Sequence, residues 1–345
     1  MEDSNWSRGA CSLFLIAFCI QDRAHGEVLI VDAAGGGDYR QINQALHNSS
    51  DGDTIVVRSG TYASFPIFNR HVSVVADFGA DVVVQGYSAV VDLEAHKQVL
   101  LSGLKVYAQE PIDYGLYLLD NQGAVRVQNC VLVGDNGENG NCDSNAPAED
   151  GGTALFVRDC GDVALTECSI AGGTGGYGDL GYCRQPGGQG GVGLYAESSE
   201  VALYGCTIRG GWGGTADCPE PGDGGTGMHL QGSTVMASGW SIIGGHGGDE
   251  CIVCGCCGDG GDGVDVDSAS TIRLLDTPVA GGEKGYSYLQ TCSHGSAFTG
   301  TGTIIQLGGT ARLFACEGPA IESGSVQMSF EGEAGDSVYL ATSAR

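Results

Sequence analysis

Four aspartates stand close together in one glycine-rich stretch, at Asp259, Asp262, Asp265 and Asp267. On a β-strand, Asp265 and Asp267 would share one face about 6.5–7 Å apart, because two residues advance a strand by that distance. Carboxylates at this spacing suit a calcium ion, or a pair that brackets a water in hydrolysis. All four are therefore candidate calcium ligands, and Asp262, Asp265 and Asp267 are candidate catalytic residues. The alternative is a solvated acidic face that keeps the protein soluble.

A cluster of thiols precedes these carboxylates, at Cys251, Cys254, Cys256 and Cys257. Zinc or another soft metal would accept them as thiolates. In an exported chain, disulfides are the more common fate of such cysteines, and we expect disulfides here. Cysteines in other loops and turns are expected to form further bridges that tie glycine-rich loops together. They are Cys142, Cys160, Cys183, Cys218 and Cys292.

Aromatic and polar residues recur at corresponding places in successive segments of the chain. If those segments stack, one outward column contains Tyr117, Phe156, Tyr195, His229 and Asp265. A second column beside it contains Arg158, Glu197, Gln231 and Asp267. Aromatic rings next to polar groups suit stacking and hydrogen bonding to an extended polysaccharide. The alternative is a ladder of side chains that stabilises the sheet without binding anything.

An internal repeat supplies the stacking that such columns need. Its copies are marked by apolar residues at intervals of about 26–39 residues, namely Val99, Val125, Val163, Val201, Val235, Ile272 and Ala311. Each copy contains three short strands with period-two alternation, separated by Gly or polar turns. No copy can bury its apolar face alone, so the copies must stack in register. This pattern predicts a parallel β-helix, with loops of about 10–15 residues projecting from one edge after the third strand.

The repeat also predicts which side chains point inward. Four cysteines stand five residues after a marked position and are expected to pack inside as small apolar groups, namely Cys130, Cys168, Cys206 and Cys316. Trp240 and Thr277 would occupy the same place in the intervening coils. Because neighbouring coils lie about 4.8 Å apart, a Cys168–Cys206 bridge is an alternative.

The N-terminal segment differs from the repeat. Val28–Asp32 reads as a strand, and Asp38 to Gln41 reads as a capping box before a helical face of Ile42, Ala45 and Leu46. The segment from Gly37 to Tyr62, GDYRQINQALHNSSDGDTIVVRSGTY, resembles the N-terminal cap of right-handed parallel β-helix proteins of the pectin-lyase-like superfamily. The resemblance, with the coils that follow, covers nearly the whole chain from residue 27. It implies an all-β solenoid with an N-terminal capping helix.

The superfamily includes lyases, hydrolases, esterases and non-catalytic secreted proteins, so the resemblance leaves the activity open. The aspartate, glutamine and arginine set of the methylesterases is not found in this sequence. Gly245-His246-Gly247 matches one polygalacturonase motif, but it is one of several GGxGG elements and no Arg-Ile-Lys follows it. His246 is therefore interpreted as a loop residue.

Composition bounds the remaining possibilities. The 345 residues include 61 Gly and carry 15 Lys and Arg against 42 Asp and Glu, a net charge of −27, which disfavours nucleic-acid binding. Residues 1–26 read as a signal peptide, and no later segment is long enough to span a membrane. Residues 27–345 are predicted to form one domain: a cap and first coil over 27–62, coils over 63–324, and C-terminal strands or a truncated end over 325–345.

Together these features predict a secreted, periplasmic or cell-surface protein. The first hypothesis is a non-catalytic β-helix that serves as a structural or binding module for a polysaccharide or cell-surface glycan. Its binding residues would be Tyr117, Phe156, Tyr195, His229, Arg158 and Glu197. The alternative is a polysaccharide lyase or glycoside hydrolase that uses the acidic cluster. Calcium is the cofactor that the acidic cluster would take, and a metal or redox role for the Cys251–Cys257 cluster is a lesser alternative.

Overall fold

The fold was analysed in a computed structural model. The structure describes residues 26–109, 114–141, 146–178, 185–216, 220–249, 256–287, 292–309, 313–317 and 327–331. The expected signal peptide lies outside these residues except for Gly26. In the described part of the chain, no helix has the length and apolar character needed to cross a membrane.

One face of the molecule is a parallel sheet of ten strands. Each repeat contributes one strand, because alternating apolar residues bury one side of the strand and leave the other in solvent. In spatial order the strands are β1 (Val28–Val31), β2 (Asp53–Val57), β4 (Val72–Ala76), β6 (Gln98–Ser102), β9 (Ala124–Gln128), β12 (Val163–Thr166), β15 (Glu200–Tyr204), β18 (Thr234–Ser238), β21 (Thr271–Leu275) and β24 (Thr303–Leu307).

Two further parallel faces complete each coil. They are joined through the long strand β5 (Val82–Val91), which pairs with β3 (Gly60–Phe68) and contains Gly86 at φ +96. One face contains β7 (Leu104–Tyr107), β10 (Val131–Val133), β13 (Ser169–Ala171), β16 (Thr207–Arg209), β19 (Ile242–Ile243) and β22 (Val279–Ala280). The other contains β8 (Leu116–Leu119), β11 (Leu155–Arg158), β14 (Leu194–Glu197), β17 (Met228–Gln231), β20 (Val264–Val266) and β23 (Phe298–Gly300).

The chain is thus a right-handed parallel β-helix with three strands per coil, as predicted. The marked residues from Val99 to Ile272 pair with one another in the ten-stranded sheet, and Ile304, not Ala311, continues the row. Inward side chains of every face, such as Leu155, Leu165 and Ile170, form one buried apolar core. Trp240 is an exception to the predictions: it has a positive φ and is 65% exposed, so it does not fill an inner position.

Among the residues that the structure describes, one helix is present, α1 (Ile42–Asn48), and it packs against the first strands at the N-terminus. Its apolar residues Ile42, Ala45 and Leu46 are buried, as predicted. The predicted capping box is wrong. Gln41 is the N-cap and makes no side-chain cap hydrogen bond, while the Asp38 carboxylate accepts from the backbone N–H of Ile30 on β1. Asp38 therefore joins the segment before the helix to the sheet.

The glycine-rich segments after the third strand form a second ordered structure rather than separate projecting loops. In residues 172–178, the N–H groups of Gly172, Gly175 and Gly178 donate to the next coil, which gives a period of three residues. Extended backbone with three residues per turn is the polyproline II type. Outgoing segments leave the third strands at residues 134–140, 172–178, 210–216, 244–249 and 281–286. Returning segments lead back to the first strands at residues 149–153, 187–193, 222–227, 258–263 and 293–297.

Outgoing and returning segments are joined by hydrogen bonds between glycines. One row of glycines is linked in this way, with each N–H donating to the carbonyl of the preceding member at 2.7–3.0 Å. The row begins at Gly152, which donates to Asp135, and continues through Gly173, Gly191, Gly211, Gly225, Gly245, Gly261, Gly282 and Gly295. Only glycine fits in this row. A Cβ at Gly173 would lie 1.6 Å from the carbonyl oxygen of Asp135, and one at Gly211 would lie 1.8 Å from that of Gly173. Close backbone packing therefore accounts for much of the glycine in the sequence.

The C-terminal strands differ from the predicted coil around Ala311. Strand β25 (Leu313–Glu317) pairs antiparallel with β26 (Gln327–Glu331), and the two form a sheet of their own. Cys316 lies on β25 and therefore does not belong to the third-strand row where it was expected. Of the segment 325–345, for which C-terminal strands were expected, the structure describes only β26, and residues 332–345 lie outside the described residues.

Candidate functional site

The predicted outward column is present and in register across successive coils. Tyr117, Phe156, Tyr195, His229 and Asp265 are direct partners on β8, β11, β14, β17 and β20. Ring centroids are 5.3 Å apart for Tyr117 and Phe156, 5.0 Å for Phe156 and Tyr195, and 4.8 Å for Tyr195 and His229. Because parallel strands repeat at nearly this spacing, identical positions on successive coils place the rings in contact.

The faces of these rings cover one another. Phe156 and Tyr195 are parallel within 2°, and Tyr195 and His229 within 16°. Tyr114, which the sequence analysis did not include, adds a ring 4.9 Å from Phe156 and 5.6 Å from Tyr117. The ring faces therefore point along the axis of the solenoid, and ring edges and hydroxyl groups point toward solvent. A sugar ring cannot stack on a face that another ring already covers, so the ligand groups of this column are its polar atoms.

Those polar atoms belong to a row that runs beside the rings. Arg158 pairs with Glu197 and Glu197 with Gln231, as predicted. Arg158 Nη2 donates to the Tyr117 hydroxyl at 3.3 Å, and the Tyr195 hydroxyl donates to Gln231 Oε1 at 2.8 Å. Burial, followed by the charge of Glu197, raises the pKa of Tyr195, which keeps its hydroxyl protonated as a donor.

His229 and Asp265 form the end of the column. His229 Nδ1 lies 3.0 Å from Asp265 Oδ2, and Thr299 on β23 donates from Oγ1 to Asp265 Oδ1 at 3.3 Å. Both side chains are about one-third exposed. A carboxylate that holds one imidazole nitrogen orients the ring and leaves Nε2 for proton exchange. Thr299 was not predicted, because Gly-rich sequence obscures the alternation around its strand.

The structure does not bring the four aspartates together. Asp259 Oδ1 accepts from the backbone N–H of Ser293 at 2.6 Å, and Asp262 Oδ1 accepts from that of Ser296 at 2.8 Å. These two carboxylates hold one returning segment to the next. Asp150, Asp223 and Asp249 accept backbone N–H groups of a following coil in the same way.

Asp267 lies in a turn of its own and Asp265 lies with His229. Asp267 Oδ1 accepts from the Ser270 hydroxyl and from the backbone N–H groups of Gly232 and Ala269. The Ser270 hydrogen bond is the main reason that its pKa is lowered. Over the residues that the structure describes, no three His, Cys, Asp or Glu side chains converge where they could hold a metal ion.

The cysteines divide between bridges and buried thiols. Cys257 forms a disulfide with Cys292, which links the start of one returning segment to the start of the next. Cys160 was expected to form a loop bridge, but it is buried as a thiol and its Sγ accepts from Asn121 Nδ2 at 3.4 Å. Cys256 lies in the described residues. Cys251 and Cys254 lie outside them, as do Cys142, Cys183 and Cys218.

Cys130, Cys168 and Cys206 form a buried column of thiols, as predicted, and the alternative Cys168–Cys206 bridge is not formed. The hydrogen bond with Cys130 is the main cause that raises the pKa of Cys168, to about 12. Cys206, which contacts Cys168, also has a raised pKa, with burial adding to the effect. The hydrogen bond with Cys168 lowers the pKa of Cys130, and all three side chains are buried. Thiols enclosed in an apolar core are poor nucleophiles and poor metal ligands.

The chain matches no protein-family model and no curated protein. Among solved structures it is similar to the pectate lyase Pel9A, with 12% identity and a TM-score of 0.42 over 74% of this chain and 63% of the lyase. The chain therefore spans less than two thirds of that enzyme. It is also similar to the polygalacturonase from Erwinia carotovora ssp. carotovora, with 9% identity and a TM-score of 0.32 over 68% of each chain.

A third similar structure is the pectin methylesterase PemA from Erwinia chrysanthemi, with 11% identity and a TM-score of 0.38 over 82% of this chain and 93% of the enzyme. The strand pairing described above shows that the chain is a parallel β-helix, the fold that the repeat and the N-terminal segment predicted.

Proposed function

We propose that this protein is an exported, non-catalytic β-helix that binds an extended glycan along the face formed by β8, β11, β14 and β17. The observation that supports this proposal best is the row of polar groups beside the ring column. It presents a guanidinium, a carboxylate and an amide at Arg158, Glu197 and Gln231, one per coil. The Tyr117 and Tyr195 hydroxyls contact the same row.

A repeating ligand fits a repeating surface. Successive coils are about 4.8 Å apart, so polar groups recur along the solenoid axis at a constant interval. Hydroxyl groups of an extended polysaccharide would exchange hydrogen bonds with this row, while the ring column keeps the row rigid. Rigid binding groups lose little entropy on association. The partner is therefore a polysaccharide or cell-surface glycan, and the location is secreted, periplasmic or at the cell surface.

The test removes hydroxyl groups without disturbing the ring ladder. Wild-type protein is applied to an array of plant, fungal and bacterial glycans, and the best ligand is titrated by calorimetry. Tyr117→Phe and Tyr195→Phe each delete one hydroxyl, and we expect each to weaken binding by about 0.5–1.5 kcal/mol. Tyr204→Phe, on the ten-stranded sheet, is the matched control. Binding that is unchanged in the double Tyr117→Phe, Tyr195→Phe variant would contradict the proposal.

The second candidate function is a polysaccharide lyase or glycoside hydrolase, which the His229–Asp265 pair favours. An imidazole held by a carboxylate can act as a general base or acid toward a sugar bound on the same face. Of the predicted catalytic aspartates, Asp265 lies within hydrogen-bonding distance of a titratable side chain, 3.0 Å from His229 Nδ1. A screen of acidic and neutral polysaccharides, with and without calcium, decides between binding and turnover. Turnover that His229→Asn abolishes would favour the enzyme.

A further inference from the structure

The outgoing glycine segments present two columns of side chains to solvent. In each segment, residues three positions apart carry side chains, and hydrogen bonds between segments place these residues in register. The first column contains Asn136, Thr174, Trp212, His246 and Glu283. The second contains Asn139, Tyr177, Thr215, Asp249 and Tyr286. Residues three apart on one segment are separated by about 9 Å in polyproline II backbone, so the two columns leave a space between them.

A groove of about 420 Å³ occupies part of this space. Its walls are Thr174, Tyr177, Trp212, Thr215, His246 and Asp249, and its floor is backbone of Gly175, Gly213, Gly247 and Gly248. The floor is open because glycine has no side chain to fill it. The volume lies within the range of about 300–1,000 Å³ that small-ligand sites have.

The aromatic walls of the groove differ from the column on the β-helix face. Tyr177 is 59% exposed and Trp212 is 54% exposed. The ring of His246 is 5.9 Å from that of Trp212 and is tilted by 47°, so it does not cover the indole face. A large, exposed and uncovered aromatic face beside a cavity is suited to stacking against the apolar face of a sugar ring.

Polar and charged groups around the groove determine which ligands it can bind. Asp249 uses Oδ1 to accept the Tyr286 N–H, which leaves Oδ2 for a ligand hydroxyl. His246 Nε2 lies 3.9 Å from Glu283 Oε2 at the adjoining edge. The described residues of the lining include no Lys or Arg, and the whole chain has a net charge of −27. A carboxylated sugar would be repelled, whereas a neutral sugar would meet hydrogen-bonding groups without a charge penalty.

We propose that this groove binds a neutral pyranose unit of a glycan, stacked on Trp212 and Tyr177 and hydrogen-bonded to Asp249. It is a site separate from the β-helix face and does not depend on the function proposed for that face. Two glycan sites on one rigid molecule would strengthen attachment to a surface that carries many copies of the ligand.

The experiment titrates the full exported chain with six-unit oligomers of glucose, mannose, xylose and N-acetylglucosamine, and with hexagalacturonate as the charged comparator. Tryptophan fluorescence and calorimetry report binding. We expect at least one neutral oligomer to bind and hexagalacturonate not to bind at this groove. Trp212→Ala should lower the affinity for the neutral oligomer by about tenfold or more, because truncation of a central aromatic contact has an effect of that size. Tyr177→Ala should have an effect in the same direction.

Trp240→Ala is the matched control, because Trp240 is 65% exposed and does not line the groove. The double Tyr117→Phe, Tyr195→Phe variant should leave binding at the groove unchanged, so failure of one site is distinguishable from failure of the other. The proposal is overturned if no neutral oligomer binds. It is also overturned if binding survives Trp212→Ala and Tyr177→Ala, or if hexagalacturonate competes for the same groove.

Discussion

Phe156 and Tyr195 lie face to face on adjacent coils, with ring centroids 5.0 Å apart and an angle of 2° between the ring planes. Their strands pair residue for residue, so the contact is set by the register of β11 and β14. Similar contacts continue to Tyr117 on one side and His229 on the other. The ring column therefore stabilises the stack of coils, whatever binds beside it.

Removing the central ring of the column should destabilise the protein. We expect Phe156→Ala to lower the free energy of unfolding by about 1–3 kcal/mol, because two ring contacts and the area they bury are lost. Phe156→Tyr keeps the ring and should change the free energy of unfolding by less than about 0.5 kcal/mol. Urea unfolding followed by circular dichroism measures both. Equal stability of the alanine and tyrosine variants would show that the ring contacts contribute nothing.

Adding one methyl group to the glycine row should be far more harmful than adding one elsewhere. A Cβ at Gly211 would meet the backbone carbonyl of Gly173 at 1.8 Å, whereas a Cβ at Gly161 would meet only the end of the Gln122 side chain at 3.8 Å. We expect Gly211→Ala to cost about 2–4 kcal/mol or to prevent folding, since backbone must move. Gly161→Ala should be neutral or stabilising by up to about 1 kcal/mol. Thermal unfolding of the two variants measures the difference. A comparable loss of stability in Gly211→Ala and Gly161→Ala would contradict this prediction.

The buried thiols should be chemically silent in the native protein. Burial raises the pKa of Cys160, and the pKa of Cys168 is raised to about 12. Both therefore remain protonated at pH 8, and the pKa of Cys206 is raised as well. The hydrogen bond with Cys168 lowers the pKa of Cys130, but burial of that side chain keeps the reagent away from it. Ellman's reagent at pH 8 should leave these four unlabelled until guanidinium is added, as peptide mapping by mass spectrometry would show. Labelling of these cysteines in the native state, at the rate of an exposed thiol, would contradict this prediction.

The turn at Asp267 should make a pH-dependent contribution to stability. The Ser270 hydroxyl and the Gly232 N–H lower its pKa below the ordinary value of 3.8 in the folded protein. The ionised carboxylate therefore stabilises the folded state above pH 3.8, and this contribution disappears as the pH falls through the lower folded-state pKa. We expect the stability difference between wild type and Asp267→Ala to be constant from pH 5 to 7 and to shrink below pH 3.8. A difference that grows on acidification would have the wrong sign.

The sequence by itself determined the parallel β-helix, its register and much of its core. Period-two alternation specifies which residues face inward, because a shift by one residue would expose the whole apolar set. Repeats of similar pattern then place equivalent residues above one another. For these reasons the sequence alone assigns Leu155, Tyr195 and His229 to the face and the column that they occupy.

Tertiary structure alone decided what the polar and glycine residues do. Asp259 and Asp262 were grouped by their nearness in sequence, yet each accepts a backbone N–H from a residue 34 positions away. The alternation also predicts only which way a side chain points and not how its ring is oriented. In the structure Phe156 covers a face of Tyr195, whereas the tilted ring of His246 leaves the indole face of Trp212 open. The glycine segments carry no apolar alternation. Their order comes from hydrogen bonds between backbones on different coils, and such bonds are specified by the assembled stack and not by any local pattern of side chains.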